Sequence, residues 1–126
     1  MKIKIDQADR YFSLYIRNRD KWTCQRCKKK YEEGSQGLHC SHFWGRSNES
    51  TRFDPDNACS ICFGCHNYFH ANPEDHRNFV LKRLGEKRFI ILEIKRNTYC
   101  KKDRKLQKIV WKTMLEKMKE GSIINI

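Results

Sequence analysis

Residues 57–70 read NACSICFGCHNYFH and bring Cys59, Cys62, Cys65, His66 and His70 together behind Asn57. Thiolates and imidazoles are metal ligands, so this run binds metal, either to hold a fold or to run a reaction. Two cysteines separated by two residues can grip one ion from a tight turn. Cys62 and Cys65 have that spacing, and so do Cys24 and Cys27, with 34 residues between the two knuckles. Four thiolates complete a tetrahedral zinc site and leave no position for a substrate, which makes this site structural. The separation exceeds that of a simple zinc ribbon, so the inserted segment is where a function would sit. Cys59 and Cys62 also have knuckle spacing, but that register leaves Cys65 beside two histidines without a partner. Cys62 with Cys65 is therefore the preferred pair, and Cys59 stays the minority alternative. Cys40 and Cys100 read as small buried or semi-exposed thiols.

With two thiolates of this run given to zinc, His66 and His70 remain. They stand at i and i+4 on the short helix expected after the knuckle, so both face one way. His42, on a strand inside the insertion, is the natural third participant. A neutral imidazole can take a proton near neutral pH or hold a metal ion.

The elements that must position these groups can be read from spacing. Ala8, Tyr11, Phe12, Tyr15 and Ile16 recur at helical intervals over residues 6–19, with Asp6 as N-cap. That helix ends near residues 20–22 and runs straight into the first knuckle. LHCSHF at 38–43 reads as a strand, and GRSNESTRFDPD at 45–56 reads as a polar loop before Asn57. A short helix begins close to Cys65 and stops before Asn72-Pro73. Asn72, Pro73, Glu74 and Asp75 start another helix, with Gly85 just past its end. FIILEI at 89–94 is assigned to helix. In the last segment Leu106, Ile109, Val110, Met114, Leu115 and Met118 are expected on one buried side. Lys101, Lys105, Lys108 and Lys112 share another. This organisation is α+β: a small core stapled by zinc at 22–72, an N-terminal helix at 1–21 and a basic helical extension at 73–126, all in one domain.

Charge narrows the partner. The chain has 27 Lys and Arg against 15 Asp and Glu, a net +12, which attracts polyanions, nucleic acid first among them. The excess is uneven, +8 over residues 71–126 against +4 over 1–70. No run resembles a membrane span, and the first residues lack the apolar stretch of a secretion signal, so a cytoplasmic protein without a membrane partner is expected. In that compartment the seven cysteines read as zinc ligands and free thiols rather than disulfides.

His42, Asn57 fifteen residues later, His66 nine further on and His70 four after that resemble the HNH (ββα-metal) nucleases. The sequential spacing is similar to that of colicin DNase domains. The flanking knuckles resemble zinc-bearing HNH members, including phage enzymes that resolve branched DNA. The wider match is to the phage NinG (Rap) recombination proteins, through FSLYIRNRD, CSHFWGR, TRFDPDN, CFGCHNYFHANP and RLGEKRF. The resemblance implies a ββα-metal fold and phosphodiester hydrolysis in the host-cell cytoplasm. Its substrate would be duplex or branched DNA, such as a Holliday junction. It also implies roles: His42 as general base, Asn57 fixing the base, and His66 with His70 holding a catalytic divalent cation. One departure is Ser41, which stands where the family often has a metal-ligating Asp or His. His39 could assist, but strand alternation points it to the face opposite His42. An imidazole-rich site accepts manganese, nickel or zinc as well as magnesium.

Arg46 and Arg52, in the loop beside the site, are candidates for phosphate contacts, as are the four lysines of the last segment. Trp44 and Phe53 read as core. The rival class is a zinc-stabilised DNA-binding module without catalysis. A pure binder has no need of His42 and Asn57 at these positions, and both are present. RNA binding fits the charge but explains none of the histidine spacing. The chain is expected to act as a monomer or homodimer.

Overall fold

The computed structural model describes residues 3–124; residues 1–2 and 125–126, the ends of the expected single domain, lie outside the described residues. The first element is α1, Gln7–Arg19. Asp6 caps it through a reciprocal box with Asp9, each backbone N–H donating to the other's carboxylate at 3.0 Å. Lys21 and Trp22, both at φ +54°, turn the chain out of α1 and bury the Trp22 ring. The first knuckle follows, closed by Cys24 N–H to the Lys29 carbonyl and Lys28 N–H to the Cys24 carbonyl, both 2.9 Å.

Two antiparallel strands form the sheet, β1 at Leu38–His42 and β2 at Ala58–Cys62, with Leu38 opposite Cys62 and His42 opposite Ala58. All five residues of β2 are buried. Its outer edge would be a row of unpaired backbone groups. Asp20 accepts from Ser60 N–H at 2.8 Å, Gln25 N–H donates to the Ser60 carbonyl at 2.9 Å, and Arg19 donates to the Ala58 carbonyl at 2.9 Å. The end of α1 and the first knuckle thus cover the edge that a third strand would otherwise take.

The segment expected as a plain loop holds a short helix, α2 at Glu49–Arg52, and a 3-10 turn at Pro55–Asn57. Helix α3, Phe63–Ala71, starts directly after β2. Helices α4, Pro73–Leu84, and α5, Glu86–Arg96, join through Gly85 at φ +82°, a backbone region that favours glycine. Asn72 stands at the N-cap of α4, but its side chain turns back to donate to the Tyr68 carbonyl.

Helix α6, Arg104–Ile124, returns to pack on α1. Its buried stripe differs from the expected one. Trp111 and Leu115 are buried, Val110 and Met118 are half-buried, and Leu106, Ile109 and Met114 are exposed. The helix is rotated because Trp111 seats against Phe12 and Tyr15, ring centroids 4.8 and 5.1 Å apart, and burying that ring outweighs the smaller aliphatic side chains. Lys101 precedes α6 rather than lying on it. Among the described residues, no helix is long and apolar enough to cross a membrane.

Arg52 corrects a second expectation. It is only 5% exposed, and its guanidinium donates to both Asp9 oxygens at 2.9 and 2.6 Å, to the Lys4 carbonyl at 2.8 Å and to the Arg46 carbonyl at 3.1 Å. Four of its five N–H groups are engaged and the side chain is buried, so Arg52 is committed to Asp9 and the backbone rather than presented to a phosphate. Burial pushes the Asp9 carboxyl upward, but Arg52 and the capping N–H outweigh it and hold Asp9 at about 2. Replacing Asp9 by Asn should cost about 3 kcal/mol or more, because Arg52 becomes an unpaired buried cation. Because the folded pKa lies below the unfolded one, this contribution is complete above about pH 5 and fades as pH falls towards 2. Urea unfolding of wild type and Asp9→Asn across that range checks it: the stability gap should narrow with acidification.

Candidate metal and histidine site

Cys24, Cys27, Cys62 and Cys65 converge, with their sulfurs all within 4.8 Å of one another. Zinc–sulfur bonds of about 2.3 Å in a tetrahedron put sulfurs about 3.8 Å apart. The Cys27 and Cys62 sulfurs are 3.8 Å apart, so the cluster fits a structural zinc ion. The Gln25 N–H bond to β2 carries the first knuckle to the second. Donors surround the sulfurs: Cys65 N–H points to Cys62 Sγ at 3.5 Å and Arg26 to Cys65 Sγ at 3.4 Å. Burial opposes ionisation of Cys62, but these neighbours and the facing thiols bring it down to about 7. Arg26 is itself held over the Tyr68 ring, 3.9 Å from its centroid.

Cys59 is outside this cluster. It is buried in the core with Trp22, Leu38 and Ile61, and burial pushes its thiol up to about 12. Substituting Cys62 by Ala should therefore abolish zinc binding and folding, whereas Cys59→Ala should retain one zinc per chain. Metal content by mass spectrometry and far-UV circular dichroism read both outcomes, and a zinc-free Cys59→Ala protein would reverse the register.

All five histidines of the chain gather on the other side of α3. His42, His66, His70 and His76 line one cavity of about 380 Å³ with Phe43, Gly45, Phe69 and Pro73. His39 and His66 line a neighbouring one of about 390 Å³. Among the described residues, no carboxylate borders either cavity.

His42 ends β1. One ring nitrogen, Nε2, lies 2.9 Å from the Arg52 carbonyl. A carbonyl only accepts, so Nε2 carries the hydrogen and Nδ1 is left as the acceptor. Nδ1 is buried and has no hydrogen-bond partner. Burial first, and then the Arg46 charge, lower the His42 pKa to about 4, so the ring is neutral at pH 7. Asn57 is fully used in holding this corner. Its Oδ1 accepts from Trp44 N–H at 2.8 Å, and its Nδ2 donates to the Trp44 and Thr51 carbonyls at 2.8 and 3.1 Å. Its backbone carbonyl accepts from Phe43 N–H at 2.8 Å. Asn57 thus pins the residues on either side of the loop that presents His42.

His66 and His70 share a face of α3, their rings stacked at 5.6 Å. His66 Nδ1 meets His39 Nδ1 at 3.0 Å, so His39, which borders a different cavity from His42, still comes within reach of the α3 histidines. The register explains it. Leu38 pairs with Cys62, so the first turn of α3 starts level with the beginning of β1, where His39 lies. Ser41 is buried, its Oγ without a partner, and lines neither cavity. Two nitrogens 3.0 Å apart can share one first-row cation at bond lengths of about 2.1 Å. Burial, then the His39 and His70 charges, lower the His66 pKa and favour the neutral, ligating form.

His76 is the residue that sequence reasoning misses. It stacks on Phe69, centroids 4.5 Å apart and rings 7° from parallel, and burial with the charges of His66 and His70 lowers its pKa to about 4. The available signal was the joint between α3 and α4, a single residue, which must fold the first turn of α4 beside the end of α3. Arg46 is half-buried near this corner, 3.8 Å from an Asp9 already taken by Arg52. Lys101, Lys105, Lys108 and Lys112 are all exposed.

A family model described as the bacteriophage lambda NinG protein matches residues 2–122. The chain belongs to the NinG family. No curated protein and no solved structure matches it. The match covers α1, both knuckles, every histidine and nearly all of α6, so the NinG family unit includes the whole arrangement described above.

Proposed function

We propose that this NinG-family chain is a metal-dependent DNA endonuclease whose β1, β2 and α3 act as a ββα-metal (HNH) core. The observation that carries the reading is His42, with one nitrogen tied to the Arg52 carbonyl and the other a buried acceptor without a partner, in a ring that lines the histidine cavity. That is the orientation and fixed tautomer a general base needs, and a phosphate anion bound beside the ring would raise its pKa from about 4 towards the working range. Nδ1 takes a proton from water as the water oxygen attacks phosphorus and the bond to the 3′ oxygen breaks. The products are 5′-phosphate and 3′-hydroxyl ends, as the HNH resemblance implies. Asn57 serves by fixing the backbone around the base.

His66 with His39 is the pair best arranged to hold the catalytic cation, and His70 and His76 complete the imidazole lining. A bound divalent cation would neutralise charge on the phosphate and the leaving oxygen. With imidazole donors and no carboxylate among the described lining residues, the site suits nickel best, and manganese or magnesium would rely on water and phosphate oxygens for the rest of their ligands. The NinG family points to a phage recombination role, with branched intermediates such as Holliday junctions as substrates.

Loss of a general base costs about 10²–10⁴-fold in rate. His42→Ala should lose supercoiled-plasmid nicking by that order while keeping zinc content and DNA affinity. His66→Ala should instead show a metal-affinity defect, partly rescued by high manganese or nickel. Nicking by His42→Ala at the wild-type rate across the metal series would sink the nuclease reading in favour of a non-catalytic DNA-binding module.

The exposed lysines of the C-terminal segment are proposed to contact the DNA backbone. Each phosphate neutralised adds about 0.9 to the slope of log K against log salt for duplex DNA. Changing Lys101, Lys105, Lys108 and Lys112 together to Gln should flatten that slope without moving the cleavage position. An unchanged slope in a filter-binding or anisotropy titration would make these lysines a solvated surface.

A further inference from the structure

We propose that Arg17 and Arg46 form a second anion subsite, which holds the phosphodiester next to the one lying among the histidines and so aligns a DNA strand across His66. This deepens the nuclease reading and rests on it. His66 is the wall between two cavities. On one side is the imidazole cavity of about 380 Å³. On the other is the cavity of about 390 Å³ bordered by Ser13, Arg17, Gln36, His39 and Arg46. A strand with its reacting phosphate in the first would carry the adjoining phosphate into the second.

The two guanidinium groups have the capacity for that phosphate. Arg17, from α1, lies over the Trp22 ring, 4.8 Å from its centroid, and its Nε donates only to the Ser13 carbonyl at 3.3 Å. Among the described residues it makes no ion pair with a carboxylate. Arg46, from the loop after β1, has a buried Nε without a hydrogen-bond partner. Its nearest carboxylate, Asp9 at 3.8 Å, is already engaged by Arg52 in two bonds of 2.9 and 2.6 Å. A partly desolvated guanidinium with no carboxylate, as at Arg17, or only a shared and distant one, as at Arg46, is poorly compensated, and an incoming anion relieves it. Burial lowers the Arg17 pKa, in line with that reading. Arg46 also lies close enough for its charge to act on both His42 and His66, so an anion held there is adjacent to the histidine cavity. The planar forks of two arginines suit the two non-bridging oxygens of a phosphodiester.

The test is a methylphosphonate scan on the zinc-loaded protein: binding is read without added divalent cation, and a parallel reaction with manganese maps the cleaved bond. Each phosphate of a short single-stranded oligonucleotide is neutralised in turn and binding is measured. Wild type should lose roughly tenfold in affinity at one position beside the cleaved bond. The Arg46→Gln variant and the Arg17→Gln/Arg46→Gln double variant should bind about tenfold more weakly and ignore neutralisation at that position. Zinc content and thermal melting verify that each variant is folded, and Arg46→Gln decides alone if loss of the Trp22 stack unfolds the double variant. Unaltered sensitivity in the variants overturns the proposal, as does a lost sensitivity that maps to the cleaved phosphate itself. If wild type cleaves nothing, the nuclease reading fails, while a position felt by wild type and ignored by the variants still establishes the arginine subsite.

Discussion

The guanidinium of Arg52 is where the N-terminal segment, the loop after β1 and the end of the sheet are tied together. A buried cation of this kind is costly unless it is paired and its donors are met, and here the Asp9 carboxylate and the carbonyls of Lys4 and Arg46 take four of its five N–H groups. Asp9 is in turn half of the capping box that starts α1. The backbone of the same residue presents the carbonyl that orients His42. Arg104 extends the network, pairing with Glu49 at 2.6 Å and Asp6 at 2.5 Å, so the first turn of α6 is fastened to the cap of α1. A change in the ion pair would therefore be felt at the imidazole without touching it.

The four-cysteine cluster does the corresponding work at the opposite end of the sheet. A chain of 126 residues with a mean hydropathy of −0.90 has little apolar surface to bury, and its sheet has only two strands. The first knuckle and the end of α1 satisfy the outer edge of β2, and the thiolates lock that docking in place. With β2 held on its edge and buried throughout, α3 can start without a connecting loop. The start point decides which histidines meet.

At the meeting point, five imidazoles and two arginines border two cavities, with no carboxylate among the described lining residues. Burial, with the Arg46 charge, favours neutral rings at His42 and His66, and each neutral ring keeps one acceptor nitrogen. The positive potential comes instead from arginines and from the exposed lysines of the C-terminal segment. Imidazoles beside arginines, with exposed lysines on the C-terminal segment, are the arrangement that this NinG-family chain presents.

Local spacing in the sequence left β2 and the short α2 unmarked, but it determined the longer helices, the first strand and the four clustered cysteines, and singled out His42, Asn57, His66 and His70. These depend on residues a few positions apart: the reach of a Cys-x-x-Cys turn, the i to i+4 face of α3, the Asp6 cap. The zinc register was legible because pairing Cys59 with Cys62 would leave Cys65 beside two histidines without a knuckle partner. What spacing could not convey was decided by contacts between distant segments. His39 meets His66 because of the register between β1 and β2, and alternation along one strand says nothing about where a helix begins. His76 reaches the cavity through the fold of α4 against α3. Arg52 looks like a phosphate ligand in a polar loop until Asp9, 43 residues away, claims its guanidinium. The face of α6 follows the Trp111 ring into the Phe12 and Tyr15 pocket rather than the count of aliphatic side chains. Periodicity marks which residues can share a face, but only packing chooses the face that is buried.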